Sequence, residues 1–386
     1  MVALSTLFHR PQLARDMAQK ILHVAVGSAA GSGLFLAAPR RTGKSTFMRE
    51  DLRPALEQAG ALVLYVDLWA NPSADPGLVI VGAIRAELAR HEGVVQRLAK
   101  AAGLDKVTVG GLAFDLDRIG LGNEVSLAGA LAALSDESGR MIVLIIDEAQ
   151  HAITTAAGVD ALFALKAARD ELNSSLHHGL RVVCTGSNRD KLAMLRNAKD
   201  QAFFGAPLVS FPTLQKDYID WFCQHADLAF ALDPDEVMEL FRQASYRPEV
   251  IGAAADVFRF EFGVDPLDGP QRFAEEVARQ AEAINQDMLR VVRSLTPIQS
   301  AVLRVMAVTG QDFAPFETAT LERYRKALKQ AGVKAADAKA DVPGVQAALT
   351  ALQDKKLVWK AARGVYAVEE HSLLVLLERD GLLDGL

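Results

Sequence analysis

Ala38-Pro-Arg-Arg-Thr-Gly-Lys-Ser45 has the spacing of a phosphate-binding loop, with Ala38 where that pattern carries its first glycine. The residue types suit one task. Backbone N–H groups from Arg41 to Ser45 can wrap phosphate oxygens, and the positive end of a helix opening near Gly43 strengthens the attraction. Gly43 lets the backbone come close. Lys44 has the reach for β- and γ-phosphates, Ser45 has a hydroxyl for Mg²⁺, and Thr46 stands where it meets an α-phosphate. Pro39, Arg40 and Thr42 complete the cradle. The alternative is a chance Gly-Lys-Ser at a helix start.

A phosphate loop of this kind calls for an acid at the end of a second apolar strand, holding Mg²⁺ through water. Met141-Ile-Val-Leu-Ile-Ile-Asp147-Glu148 supplies it. Asp147 is the metal-side acid, and Glu148 is placed to polarise an attacking water. An Asp-Glu pair alone also fits a solvated loop, but the two motifs in this order are more specific than either. Val182-Val-Cys-Thr-Gly-Ser-Asn188 ends a further strand, expected between the other two. Ser187 or Asn188 can hydrogen-bond a γ-phosphate or the water there, or Asn188 can cap the next helix. Arg247 either offers a cation to phosphates or is a surface arginine before the helix-starting Pro248. Arg189 and Arg196 are either arginine fingers for a neighbouring subunit or solvated helix-face residues.

These side chains need a scaffold, and the 386-residue chain has material for two or three domains. Half of it is apolar and 23% is charged, which excludes a disordered chain and a small disulfide scaffold. The net charge of −6 gives no global basic excess for nucleic acid. Two cysteines, Cys184 and Cys223, fit a reducing cytoplasm. The uncharged stretch from Ile21 to Ala38 is broken by Gly27, Gly31 and Gly33, so it reads as helix end, loop and strand, with no membrane span. Apolar runs at 34–38, 61–66, 141–146, 182–185 and 207–211 alternate with helical blocks, and a hairpin is expected around Gly110-Gly111. The fold class is therefore α/β: a P-loop parallel sheet with helices on both faces, at 1–212. Residues 213–290 read as a helical lid. The pattern predicts three helices at 297–309, 318–331 and 342–354, then a hairpin and a short helix, which is a winged helix at 291–386. The helix after Gly43 is expected to end or kink at Pro54.

Phe8-His-Arg-Pro11, the phosphate loop, Asp147-Glu-Ala-Gln150, Thr185-Gly-Ser-Asn188 and Ala202-Phe-Phe-Gly205 resemble the archaeal-type P-loop ATPases. That group is related to AAA+ initiators and STAND signalling ATPases and belongs to the additional-strand, catalytic-glutamate class. The resemblance covers about 1–290, and the closing region is similar to the winged helix that often follows. It implies ATP and Mg²⁺, a nucleotide-dependent switch, and Arg10 near the adenine. Two departures stand out: Ala38, and Ser245-Tyr-Arg-Pro248 where the group often has two glycines before an Asn/Arg-Pro pair.

From Leu321 to Glu370, ten Lys and Arg face six acids, so charge is segregated in an acidic chain. Gln346 and Thr350 on the third helix, with Lys355, Lys356, Lys360 and Arg363 at its end and wing, are candidates for contact with double-stranded DNA. Protein docking uses such a module equally well. The expected function is a slowly hydrolysing ATP switch controlling self-assembly and DNA or partner association. The alternatives are a scaffold recruiting a protein effector without DNA, and a small-molecule kinase. The histidines show no metal-ligand spacing with cysteines or acids.

Overall fold

The computed structural model describes residues 7–91, 93, 126–174, 176–197, 201–261, 263, 265–334, 340–362, 364–369 and 371–385. The hairpin expected at Gly110-Gly111 and the side chain of Arg363 lie outside the described residues. The chain folds as two compact units. One is His9–Ala37 with Ser45–Ser210; the other is Ala38–Lys44 with Phe211–Leu386 and the described residues Leu7 and Phe8.

The first unit is built on five parallel strands: β1 (Leu34–Ala37), β2 (Leu62–Asp67), β3 (Ile142–Asp147), β4 (Leu180–Gly186) and β5 (Leu208–Ser210). Their order is β2-β3-β4-β1-β5, so β4 does lie between β1 and β3. All six residues of β3 are buried, as a parallel strand covered on both faces must be. The register sets Ala37 beside Gly186, Ile146 beside Cys184 and Asp67 beside Asp147. The C-terminal ends of four strands thus share one edge of the sheet.

Helices α1 (Pro11–Leu22), α2 (Lys44–Phe47), α3 (Arg53–Gln58), α4 (Pro76–Leu88), α5 (Leu127–Ser138), α6 (Ala156–Ser174) and α7 (Arg189–Ala193) accompany the sheet. Asp75 accepts from the N–H groups of Gly77 and Leu78 while Pro76 opens α4, so a cap and a pre-set φ start the helix together. Pro54 does not end the helix after the loop. Instead, a π-turn at Met48–Leu52 carries α2 into α3, with Arg53 N–H donating to the Met48 carbonyl. The wider turn accommodates a residue that has no N–H to give.

Helix α4 approaches α6 through glycine: a Cβ on Gly77 would lie 2.3 Å from the Ala157 oxygen. A Cβ on Gly158 would lie 2.0 Å from the oxygen of Ala152, in the turn that leads into α6. Both obstacles are backbone, so no rotamer change relieves them. Gly158→Ala should lower stability by about 1–3 kcal/mol, the usual range for overpacking. Gly82→Ala, in open space on the same α4, should instead raise it by about 0.5–1 kcal/mol through helix propensity. Thermal unfolding of the two variants checks the pair, and equal melting temperatures would contradict the crowding argument.

The second unit holds two hydrophobic cores. Helices α8 (Lys216–His225), α9 (Pro234–Gln243), α10 (Pro248–Arg259) and α11 (Gly269–Arg293) enclose Ile219, Phe222, Phe241, Ile251, Phe258 and Phe273. Helices α12 (Pro297–Thr309), α13 (Thr318–Gln330) and α14 (Val342–Asp354), strands β6 (Val358–Ala362) and β7 (Val365–Val368), and α15 (His371–Arg379) enclose Val302, Met306, Tyr324, Leu349 and Tyr366. A capping box between Thr296 and Gln299, with Pro297 behind it, starts α12. Helix α11 serves both cores: Phe273 and Val277 lie in the first and Val292 in the second. Among the described residues no helix is long and apolar enough to cross a membrane.

Candidate nucleotide site

The phosphate loop leaves β1 after Ala37, and α2 opens at Lys44. Arg41 has φ 61° and Gly43 φ 78°. Left-handed residues within such a turn aim successive N–H groups into one hollow, the geometry of an anion nest. Gly43 is required by its φ; a Cβ there would meet only Leu214, at 4.0 Å. Ala38 has no positive φ, so alanine fits where the pattern carries glycine. The Thr42 hydroxyl donates to the Pro39 carbonyl at 2.8 Å and closes the loop on itself. Lys44 is buried, Arg40 and Arg41 are exposed, Ser45 is partly buried and Thr46 is exposed.

Beyond the loop, the π-turn presents the buried carboxylate of Asp51 to the segment before α1. His9 Nδ1 lies 2.8 Å from Asp51 Oδ1, and the Arg10 N–H donates to Oδ2 at 3.1 Å. The Arg10 guanidinium stands 4.9 Å from the Phe47 ring centre, so it sits on α2.

Asp147 is 1% exposed. Its Oδ1 accepts from the Thr185 hydroxyl and from the Glu148 N–H at 3.1 Å, and its Oδ2 accepts from the Tyr65 hydroxyl at 2.9 Å. Glu148 takes φ 54°, which turns the chain out of β3. Its Oε2 accepts from Gln150 Nε2 at 2.6 Å and from the Ser187 hydroxyl at 2.9 Å. Gln150 is 1% exposed, and its Oε1 would lie 2.6 Å from a Cβ on Gly186. Glycine at 186 is thus what lets Gln150 reach Glu148. The second acid therefore has a held carboxylate at a strand end, fit for orienting a water.

Neither a scan against known protein families nor a comparison with curated proteins gave a match. Among solved structures, a Walker-type ATPase of Pyrococcus abyssi is similar at 16% identity, over 96% of each chain, with a TM-score of 0.50. The ORC2 protein of Aeropyrum pernix in its ADP form gives 15% identity over 99% of this chain and 96% of its own, with a TM-score of 0.48. The Aeropyrum pernix ORC1 protein in complex with DNA gives 18% identity over 99% and 96%, with a TM-score of 0.41. The fold is that of a P-loop ATPase. At these identities the likeness is one of fold alone.

Within the P-loop ATPase fold, the remaining candidates fall in different places. Ser187 faces Glu148, whereas Asn188 Oδ1 accepts from the N–H groups of Asp190 and Lys191 and caps α7. Arg189 is exposed and donates to the Leu208 carbonyl at 3.3 Å and to the Ser210 hydroxyl at 3.4 Å. Arg196 donates to Asn197 at 3.1 Å. Arg247 N-caps α10 and donates from Nε to the Ala244 carbonyl at 3.0 Å. Just before it, Ser245 and Tyr246 have φ 58° and 55°. The pair keeps, without glycine, the conformation that glycine adopts freely. The Tyr246 ring rests edge-on against Phe241, with centres 5.6 Å apart. On α14, Gln346 and Thr350 are exposed, as are Lys355, Lys356 and Lys360 beyond it. Lys360 Nζ lies 5.8 Å over the Tyr366 ring.

Tyr65, Gln150, Thr185, His9 and Asp51 had no role assigned from sequence. Gln150 and Thr185 lie within quoted motifs, but their partners are defined only once the strands are in register.

Proposed function

We propose that this chain is an ATP-binding, slowly hydrolysing molecular switch of the AAA+/STAND-like kind. Its core is at 1–212, its helical lid at 213–290 and its winged helix at 291–386. Its nucleotide state would control self-assembly and association with DNA or a protein partner. The observation that carries this reading is the strand register, which aligns the end of β1, the Thr185–Ser187 segment and the Asp147–Glu148 pair at one sheet edge. The donor set suits the group it would hold. Ser45 and Asp147 offer hard oxygen ligands for Mg²⁺, the latter through water. The nest at Arg41 and Gly43, with Lys44, suits phosphate oxygens. Arg10, at the start of α1 with its guanidinium over Phe47, suits the adenine side, and Asn188 and Arg247 are proposed phosphate contacts.

Bound Mg²⁺-ATP would supply the phosphoryl group transferred to water, giving ADP and phosphate. The protein's part is positioning and electrostatics. Lys44 neutralises charge at the loop. Glu148, its Oε2 held by Ser187 and Gln150, orients the attacking water. Arg40 pairs with Glu369 at the end of β7, at 3.3 Å, so an anion in the loop competes for Arg40 with the closing module. An exposed pair of this kind is worth only ~0–1 kcal/mol. Moving a population from 1:99 to 99:1 takes ~5.5 kcal/mol, so most of the switching energy must come from the lid, where Arg247 is the candidate.

The test is mass photometry of Glu148→Gln with and without ATP, Mg²⁺ and random duplex DNA. Larger assemblies should form only with ATP and grow on DNA. If about four basic residues meet phosphates, DNA affinity should fall ~10²-fold between about 50 and 200 mM salt. A monomer indifferent to ATP and DNA would contradict the switch and favour an effector-recruiting scaffold.

A further inference from the structure

We propose that Tyr65 is a positioning residue for Asp147, so that β2, at the edge of the sheet, helps to hold the metal. The inference rests on the nucleotide-site reading above. Asp147 carries two donors on Oδ1, from Thr185 and the Glu148 N–H, and the Tyr65 hydroxyl on Oδ2. Donors on both oxygens fix the rotation of a carboxylate, and so the direction in which it offers its lone pairs. The Asp147 oxygen is the acceptor of this pair and the Tyr65 hydroxyl its donor, at 2.9 Å.

The surroundings of Tyr65 are arranged to keep it there. Tyr65 and Asp67 lie two residues apart on β2 and share a face. Arg49, from the π-turn after the phosphate-loop helix, lies over the Tyr65 ring at 5.0 Å and pairs with Asp67 Oδ2 at 2.6 Å. Asp67 Oδ1 accepts from the Trp69 N–H at 2.9 Å. Asp67 and Asp147 are register partners at neighbouring strand ends. Arg49 neutralises the first of these acids while the phenol orients the second. Two adjacent carboxylates are thereby held by different partners, Asp67 by Arg49 and Asp147 by the phenol.

Tyr65→Phe keeps the ring under Arg49 and removes only the hydroxyl. Binding of a methylanthraniloyl ATP analogue would be followed by fluorescence in EDTA and across a Mg²⁺ titration. Affinity in EDTA should stay within about twofold of the parent. The Mg²⁺ concentration at half effect should rise ~10-fold, the low end for losing a partner of a metal ligand. In an Asp147→Asn background the same change should shift the Mg²⁺ midpoint no further, because its only route is through that carboxylate. A Tyr65→Phe midpoint equal to the parent's, or an equal added shift in the Asp147→Asn background, would overturn the proposal. A parent chain that binds the analogue in neither condition would instead bring down the nucleotide-site reading itself.

Discussion

Glu148→Gln should bind ATP as the parent does and hydrolyse it at least ~10²-fold more slowly, within the range that a positioned general base contributes. Glutamine has the shape of glutamate, and its amide oxygen can still accept from Ser187 and Gln150, which now hold Oε2 at 2.9 and 2.6 Å. Only the negative charge that would draw a proton from water is lost. Binding should survive because, in the proposed site, the phosphate contacts fall to the loop and Lys44 and not to this carboxylate. Phosphate release under saturating ATP, beside fluorescence binding of an ATP analogue, separates the two effects. Hydrolysis at the parent rate would show that another group polarises the water, and the role assigned to Glu148 would fall. Reduced binding with unchanged turnover would point instead to a part in holding the nucleotide.

Lys44→Ala should cost ATP affinity ~10²-fold or more. Lys44 is the first residue of α2 and only 4% exposed, so alanine suits the helix and little of the surface changes. The lost ammonium would have made charge-assisted bonds to two phosphates, each worth about 1.5–3 kcal/mol. Their sum, about 3 kcal/mol or more, is the expected factor. The cleanest reading is thermal: at ATP near 100 times its dissociation constant the parent gains ~2.7 kcal/mol of stability by mass action. The variant should gain almost none, each shift being read against that chain's own melting temperature without nucleotide. An ATP-induced shift equal in both chains would mean that the loop does not carry the phosphates.

The parts of this molecule that are legible in sequence are those made by neighbours along the chain. The apolar run at 141–146 reads as a buried strand, and the helix expected at 297–309 starts at Pro297 with Thr296 as its cap. The closing helices and hairpin follow for the same reason. Interactions made across the sheet were not legible. Tyr65 is 82 positions from Asp147, and Ser187 is 39 from Glu148; only the register brings them together. Pro54 left a helix end or a kink open, and the chain continues through a wider turn just before it. That wider turn is also what presents Asp51 to His9 and Arg10. At Ser245-Tyr246 the sequence lacks the glycines of the related motif, yet both residues hold a left-handed backbone. Residue type was a poor guide there because the helix-end hydrogen bonds, Ser245 N–H to Arg242 and Tyr246 N–H to Phe241, dictate the conformation.

Helix α11 has 25 residues and no break between the core around Phe273 and the core around Val292. At 1.5 Å per residue it is a strut of about 37 Å. A strut clamped at both ends behaves as a lever arm: tilting its first turns by ten degrees would carry its last turns through about 6 Å. The four helices around Phe273 and the closing module beyond Arg293 would then move as one lever. The mechanical gain from a small tilt at the first to a displacement of about half a helix diameter at the second would be fixed by the length of that one helix.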